Sequence, residues 1–222
     1  MNRDATRRAG SPDAERAGAA APADEGPLAH TRLLEDAIRF GVAAHHGQVR
    51  KGDGQPFITH PIAVALLCAR AGLDAETIAA ALLHDVVEDT AHTAEDVESR
   101  TSPRVRAAVE AVTKHEGGNV PRRDGESLWR AKGRLYTDRL RTADRPGLAV
   151  AAADKIHNLD SLVRAYRENG REALDRFRSK IPERLSFYAD VRDVVRERWP
   201  DCPLLPELER QLARARAALP EE

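Results

Sequence analysis

From His30 onward, apolar positions recur at helical spacing with few interruptions. Leu33 to His46 is amphipathic. Ile62 to Ala71 is an apolar helical run, entered through Pro61, which suits a first turn. Gly72-Leu73-Asp74 closes that helix and caps the next, with Thr77 in its first turn. Further helices are predicted over Ala79 to Thr90, Thr93 to Arg100, Pro103 to Lys114, Leu128 to Thr142, Gly147 to Tyr166, Glu172 to Phe177, Pro182 to Trp199 and Pro206 to Leu219. A basic loop containing glycine, Gly47 to Pro56, and a polar loop, His115 to Gly125, separate some of them. No segment alternates with period two, and no Asn-Gly or Asp-Gly turn joins β-branched runs. The expected fold is therefore all-α, a single helical bundle over residues 29–222. Residues 1–28 are rich in Ala, Gly, Pro and charge and poor in large apolar residues, and are expected to form a disordered tail.

Composition narrows the function. The chain has 222 residues, with 35 basic and 36 acidic side chains and a formal charge of −1. That balance gives no field toward nucleic acid or a membrane surface, and neither is expected as a partner. No apolar run approaches the ~20 residues of a membrane span. No signal peptide is apparent, so the cytoplasm is the expected location. Aromatic residues are only 4% of the chain, so the core must rest on Ala, Leu and Val. Cys68 lies in an apolar helical run as a buried free thiol. A disulfide to Cys202 is left open.

The chemistry lies on two helical faces. On a helix through Ala79 to Thr90, His84, Glu88, Asp85 and Asp89 fall at about 0°, 40°, 100° and 140°, opposite Leu82, Leu83, Val86 and Val87. Burying three carboxylates and an imidazole on one face is costly unless a cation pairs them. On the helix from Gly147, Asp154, Asn158 and Ser161 share a stripe, with His157 at its edge. Packed side by side, these helices bring Asp154 to His84 and Asp85, and His60 at the start of another helix completes a set of four ligands. Two imidazoles and two carboxylates suit Mn²⁺ or Fe²⁺ best, with Mg²⁺ and Zn²⁺ left open. Such an ion acidifies bound water and polarises a phosphoryl oxygen. Glu88 and Asp89, one turn beyond the ligands, are placed to handle protons.

Each of these features has an ordinary structural explanation when taken alone. Together they leave His84, Asp85, Asp89 and Asp154 as unexplained polar groups in apolar helices. Arg50 and Lys51 could fold over the metal and hold phosphate. His45 and His46 are read as structural, or bonded to the loop, and His92 and His115 as surface residues. Trp129, Lys132 and Tyr136 share one face. Trp129 and Tyr136 read as core, and Lys132 is the candidate to reach a substrate phosphate.

Several motifs in order carry a family resemblance: Ala44 to Gly52 (AHHGQVRKG), Pro56 to Pro61 (PFITHP), Ala80 to Thr90 (AALLHDVVEDT), Val112 to Lys114 (VTK) and Ala153 to Leu159 (ADKIHNL). They resemble the HD-domain hydrolase module of RelA/SpoT-type proteins, over about Leu33 to Tyr188. The resemblance implies a Mn²⁺-dependent pyrophosphohydrolase that removes the 3′-pyrophosphate of (p)ppGpp. His60, His84, Asp85 and Asp154 would bind the metal, and Glu88 and Asp89 would activate water and protonate the leaving group. Arg50 and Lys51 would contact the nucleotide, while Asn158 and Ser161 would line its ribose and base side. Too few residues follow Tyr188 for a synthetase domain. The pattern is therefore that of a stand-alone small alarmone hydrolase, a group that includes the metazoan SpoT homologue. Asp154-Lys155 stands for the commoner Asp-Arg, Asp160 for an Arg, and Gly133 for a cation in a Trp-x-x-Arg-Lys-x-x-Tyr run. These departures leave base specificity open.

Rival readings are a (p)ppApp or NADPH hydrolase, and a general HD nucleotidase or phosphodiesterase. A non-enzyme alternative is a nucleotide sensor or antitoxin-like partner of an alarmone synthetase. In every reading the partner is a small-molecule nucleotide or its synthetase, and homo-oligomerisation is left open.

Overall fold

The computed structural model describes residues 27–50, 54–114, 120–175 and 181–220. Among these, the secondary structure is helical: α1 (Pro27–Ala44), α2 (Thr59–Arg70), α3 (Ala75–Leu83), α4 (Val86–Asp89), α5 (Ala94–Arg100), α6 (Pro103–Val112), α7 (Leu128–Leu140), α8 (Arg145–Asn169), α9 (Glu172–Asp175), α10 (Ile181–Arg198) and α11 (Leu205–Ala218). Extended pairing among the described residues is confined to one antiparallel bridge between Val49 and Pro56. The all-α expectation holds.

Local chemistry sets the boundaries. Asp74 caps α3 by accepting from the Thr77 amide at 2.8 Å. Thr93 and Asp96 form a reciprocal capping box on α5. Ser102 caps α6 ahead of Pro103. Each cap satisfies an amide left without an intrahelical partner, an effect of ~1 kcal/mol. Gly72, at φ 72°, takes the left-handed turn that ends α2.

α8 is the central element. It is buried almost continuously from Pro146 to Ile156 and packs against α2, α3, α6, α10 and α11. Its run Ala149–Ala153 and the α3 run Ala79–Ala81 are largely inaccessible to solvent. Small side chains let helices approach closely, so short Asp and His side chains can meet across the interface. A Cβ on Gly147 would lie 3.0 Å from the Ala111 Cβ, which shows how closely α6 and α8 pack. One hydrophobic cluster runs from Ala37 to Leu219.

α1 begins at Pro27, whose fixed φ favours the first helical position. Residues 1–26, most of the stretch expected to be a tail, lie outside the described residues. One expectation needs correction: Ala79 to Thr90 is not one helix. α3 ends at Leu83, and His84 and Asp85 form a turn before the single turn of α4. The His84 imidazole bonds the Ala81 carbonyl at 2.8 Å. A continuous helix would offer that carbonyl to the Asp85 amide. Asp85 accordingly sits at φ −96°, ψ −5°.

Cys68 and Cys202 are both free and buried. Burial, reinforced by Cys202, pushes the Cys68 thiol up to about 12. No helix among the described residues is long and apolar enough to cross a membrane.

Candidate metal centre

Two helices and the α3–α4 turn converge on one buried cluster. His60 enters from the first turn of α2, His84 and Asp85 from the turn, and Asp154 from the middle of α8. His60, His84 and Asp154 each offer a ligand atom within 4.8 Å of the others, and all three are buried. The His60 Nε2 lies 3.2 Å from Asp154 Oδ1 and 3.4 Å from Asp85 Oδ2. The His84 Nε2 lies 3.3 Å from Asp85 Oδ1 and 3.8 Å from Asp154 Oδ1.

The imidazole tautomers fit a metal. His84 donates Nδ1–H to the Ala81 carbonyl, so Nε2 carries the lone pair. That Nε2 is buried and has no hydrogen-bond partner, although it faces two carboxylates. A buried acceptor without a donor is costly, and a divalent cation among these four groups would remove the cost. Without the ion, a proton takes its place. Burial lowers the pKa of His84, but Asp85 and Asp154 outweigh it and raise it to about 9. For Asp85, burial alone would raise the pKa, yet His84 and His60 hold it below the ordinary range. Burial opposes ionisation of Asp154 too, and Lys155 with the two histidines holds its pKa well down.

A supporting shell, largely unread in the sequence, fixes these side chains. His157 meets His60 Nδ1 through its own Nδ1 at 2.8 Å. Burial first, then His60 and Arg50, lowers the His157 pKa to about 4, so it is neutral at pH 7 and can accept. Lys155 holds Asp154 Oδ2 at 2.5 Å, and Asn158 donates to Oδ1. Only 2% of Lys155 is exposed, and its ammonium lies 4.8, 5.5 and 5.8 Å from the rings of Tyr136, Phe187 and Tyr188. Burial would lower its pKa, but Asp154 raises it. The one sequence signal for His157 was its position three residues after Asp154, one turn along the same helix. For Lys155, nothing local marked a cage built from α7 and α10.

The remaining sequence candidates divide. The Glu88 carboxylate is held by the Lys114 amide at 2.9 Å and the Lys114 ammonium at 3.1 Å. Asp89 is exposed and lines a cavity of about 470 Å³ with Arg50, Asn158 and Ser161. The single polar stripe read from helical angles is thus split: His84 is buried, while Asp89 faces the cavity. Arg50 donates to the Ser161 hydroxyl at 3.4 Å, joining the loop to α8. Lys51 and His115 lie outside the described residues. Lys132, on α7, is not among the residues lining this cavity. Asp160 bonds Arg164 at 2.9 Å and Arg214 of α11 at 2.7 Å, on the side of α8 away from the ligands.

Comparison with known proteins places this geometry among relatives. The family model described as "HD domain" matches residues 37–182. An Aquifex aeolicus protein named guanosine-3′,5′-bis(diphosphate) 3′-pyrophosphohydrolase is 47% identical over 85 residues, 38% of this chain and 12% of that protein. The Escherichia coli bifunctional (p)ppGpp synthase/hydrolase SpoT is 38% identical over 142 residues, 61% of this chain and 20% of that protein. The chain thus aligns with a fifth or less of the length of these relatives. A solved structure described as a metazoan ortholog of SpoT that hydrolyses ppGpp matches with TM-score 0.64 at 24% identity, over 84% of this chain and 97% of that one. A structure from Listeria monocytogenes EGD-e matches with TM-score 0.58 at 25% identity, over 70% of this chain and 97% of that one.

Proposed function

The chain belongs to the HD-domain family, and from that membership we propose that it is a metal-dependent hydrolase removing the 3′-pyrophosphate of an alarmone nucleotide, (p)ppGpp first. The carrying observation is the buried His60/His84/Asp154 cluster with Asp85 against it, where His84 Nε2 has no hydrogen-bond partner. The cavity beside the cluster suits a nucleotide in size, and Arg50 and Asp89 stand on its wall.

His60 Nε2, His84 Nε2, Asp85 and Asp154 Oδ1 would hold the ion. Mn²⁺ is the first choice for two nitrogens and two carboxylates, with Fe²⁺, Mg²⁺ and Zn²⁺ the ions to test beside it. When bound, the ion supplies acidified water and polarises a phosphoryl oxygen. The chain's own groups do the rest. Lys155 and Asn158 orient Asp154, and His157 orients His60. Arg50 neutralises phosphate charge in the cavity. Asp89 exchanges a proton with the attacking water or the leaving oxygen, and Glu88, fixed by Lys114, assists.

The test is direct. Purified protein with Mn²⁺ is incubated with ppGpp, ppApp and NADPH, and products are separated by ion exchange. Release of pyrophosphate from ppGpp or ppApp is expected. Protein that binds Mn²⁺ yet turns over none of the three would overturn the proposal.

A further inference from the structure

We propose that Gln48 is a positioning residue for Asp89, and that His45 sets the orientation of its amide. This rests on the hydrolase reading, in which Asp89 handles a proton.

α4 is a single turn, Val86–Asp89, and a helix that short has little stability of its own. The carbonyl of its last residue has no intrahelical donor. Gln48 supplies one from 41 residues upstream: its Nε2 donates to the Asp89 carbonyl at 2.8 Å. A carbonyl can only accept, so this contact fixes which end of the amide faces Asp89. The Gln48 Oε1 must then face His45, at 2.9 Å from its Nδ1, and His45 must be the donor. His45 suits that part. It is buried, its ring lies 4.8 Å from Phe57, and burial lowers its pKa so that it stays neutral.

The sense of every link is therefore determined: His45 Nδ1–H to Gln48 Oε1, and Gln48 Nε2–H to the Asp89 carbonyl. Glutamate at position 48 could accept but not donate, and methionine could do neither well.

The backbone of Gln48 is also anchored. Its amide donates to the His45 carbonyl at 3.1 Å, and its carbonyl accepts from the Phe57 amide at 2.9 Å. Two residues further on stands Arg50, whose amide donates to the Gln55 carbonyl at 2.9 Å. Gln48 therefore sits at the root of the loop that carries the cation, while its side chain holds the helix that carries the acid. Gln48, Arg50 and Asp89 all line the same cavity. One side chain thus sets the spacing between a phosphate-binding group and a proton-handling group.

The experiment is a double-mutant cycle. Turnover by the wild-type protein is measured first, then Gln48→Glu, Gln48→Met and Asp89→Asn, and each Gln48 variant combined with Asp89→Asn. Displacing a reacting group by about 1 Å costs about a hundredfold. The Gln48 variants should accordingly lose about 10- to 100-fold in kcat, while KM and the Kd for Mn²⁺ change by about twofold or less. In the Asp89→Asn background the same substitutions should change kcat little, because Gln48 acts through Asp89. Equal losses in both backgrounds would overturn the proposal, as would a lowered Tm with kcat intact.

Amide hydrogen exchange gives a readout independent of turnover. Gln48→Met should speed exchange at residues 86–90 and leave α8 unchanged. Unchanged exchange at 86–90 overturns the positioning role whatever the substrate. Faster exchange there in a wild-type background that turns over none of the nucleotides would instead count against the hydrolase reading alone.

Discussion

His60 and His157 meet nitrogen to nitrogen, Nδ1 to Nδ1, at 2.8 Å across 97 residues of chain. Two imidazole nitrogens approach that closely only when one carries the proton and the other a lone pair. Since His157 is held neutral, His60 can donate, and its Nε2 lone pair is left facing the Asp85 and Asp154 carboxylates, an arrangement that a cation between them would satisfy. Replacing His157 by Ala removes this lock. Metal affinity should fall about 10- to 100-fold, as read by calorimetric titration of Mn²⁺. Activity should recover at saturating Mn²⁺. Unchanged affinity would show that His60 needs no such partner.

The pH dependence of the metal-free protein follows from His84. Its pKa rises from 6.5 to about 9 on folding without a cation. Between those values the folded state holds a proton that the unfolded state has released. The stabilisation is complete below 6.5 and is lost as pH climbs through about 9, with a size on the order of 3 kcal/mol. Asp85 and Asp154, whose pKa values are lowered, act at the other end: their contribution is present above 3.8 and lost as pH falls through their folded values. Thermal melts without metal should therefore peak between the ordinary carboxylate and histidine values and decline above pH 7. With Mn²⁺ the alkaline decline should vanish, and binding near pH 7 should release a proton. Titrations in two buffers of different ionisation enthalpy count that proton.

Lys155 bonds the residue immediately before it, although neighbours on a helix point about 100° apart. Its long stem lets the ammonium reach back to Asp154 Oδ2 inside the aromatic cage. Lys155→Met keeps the volume and removes the charge, leaving a buried carboxylate oxygen without its partner. The metal-free variant should lose about 3–5 kcal/mol in urea denaturation, and added Mn²⁺ should restore part of it. A loss within the range of ordinary surface substitutions would contradict this role.

Glu88→Gln and Asp89→Asn separate proton handling from metal binding. Both should retain Mn²⁺ affinity while kcat drops about 10²- to 10⁴-fold. Glu88→Gln should also weaken the tie to Lys114, so its Tm should fall more than that of Asp89→Asn. Weakened Mn²⁺ binding in either variant would reassign it to the ligand set.

The helices were readable because apolar positions recur at helical spacing and some ends carry local signals, such as Asp74 as a cap and Pro61 in a first turn. The candidate ligands His60, His84, Asp85 and Asp154 stood out as polar groups in apolar runs, and the folded chain brings all four together. The break after Leu83 was not readable. Residues 79–90 keep helical apolar spacing with no Gly or Pro, and a single ring-to-carbonyl bond interrupts them. Gln48's role and the aromatic cage around Lys155 were not legible either, because they come from contacts with Asp89, Tyr136 and Phe187 far along the chain. The reach of Lys132 was not legible for a related reason. Its helix face alone cannot say which cavity it borders, since that depends on how α7 packs against α10.

α11 lies wholly beyond residue 182, where the family match ends. Yet it packs on α8, burying Leu208, Leu212 and Ala215, and clasps it through Arg214 and Asp160 six residues past Asp154. The helix bearing the candidate ligand Asp154 is therefore backed by a segment outside the residues that the family model matches. Two proteins with identical ligands could hold them with different rigidity, according to what each has grown behind that helix. For this chain, shortening the C-terminus is not trimming an appendage but removing the backing of the His60/His84/Asp154 cluster.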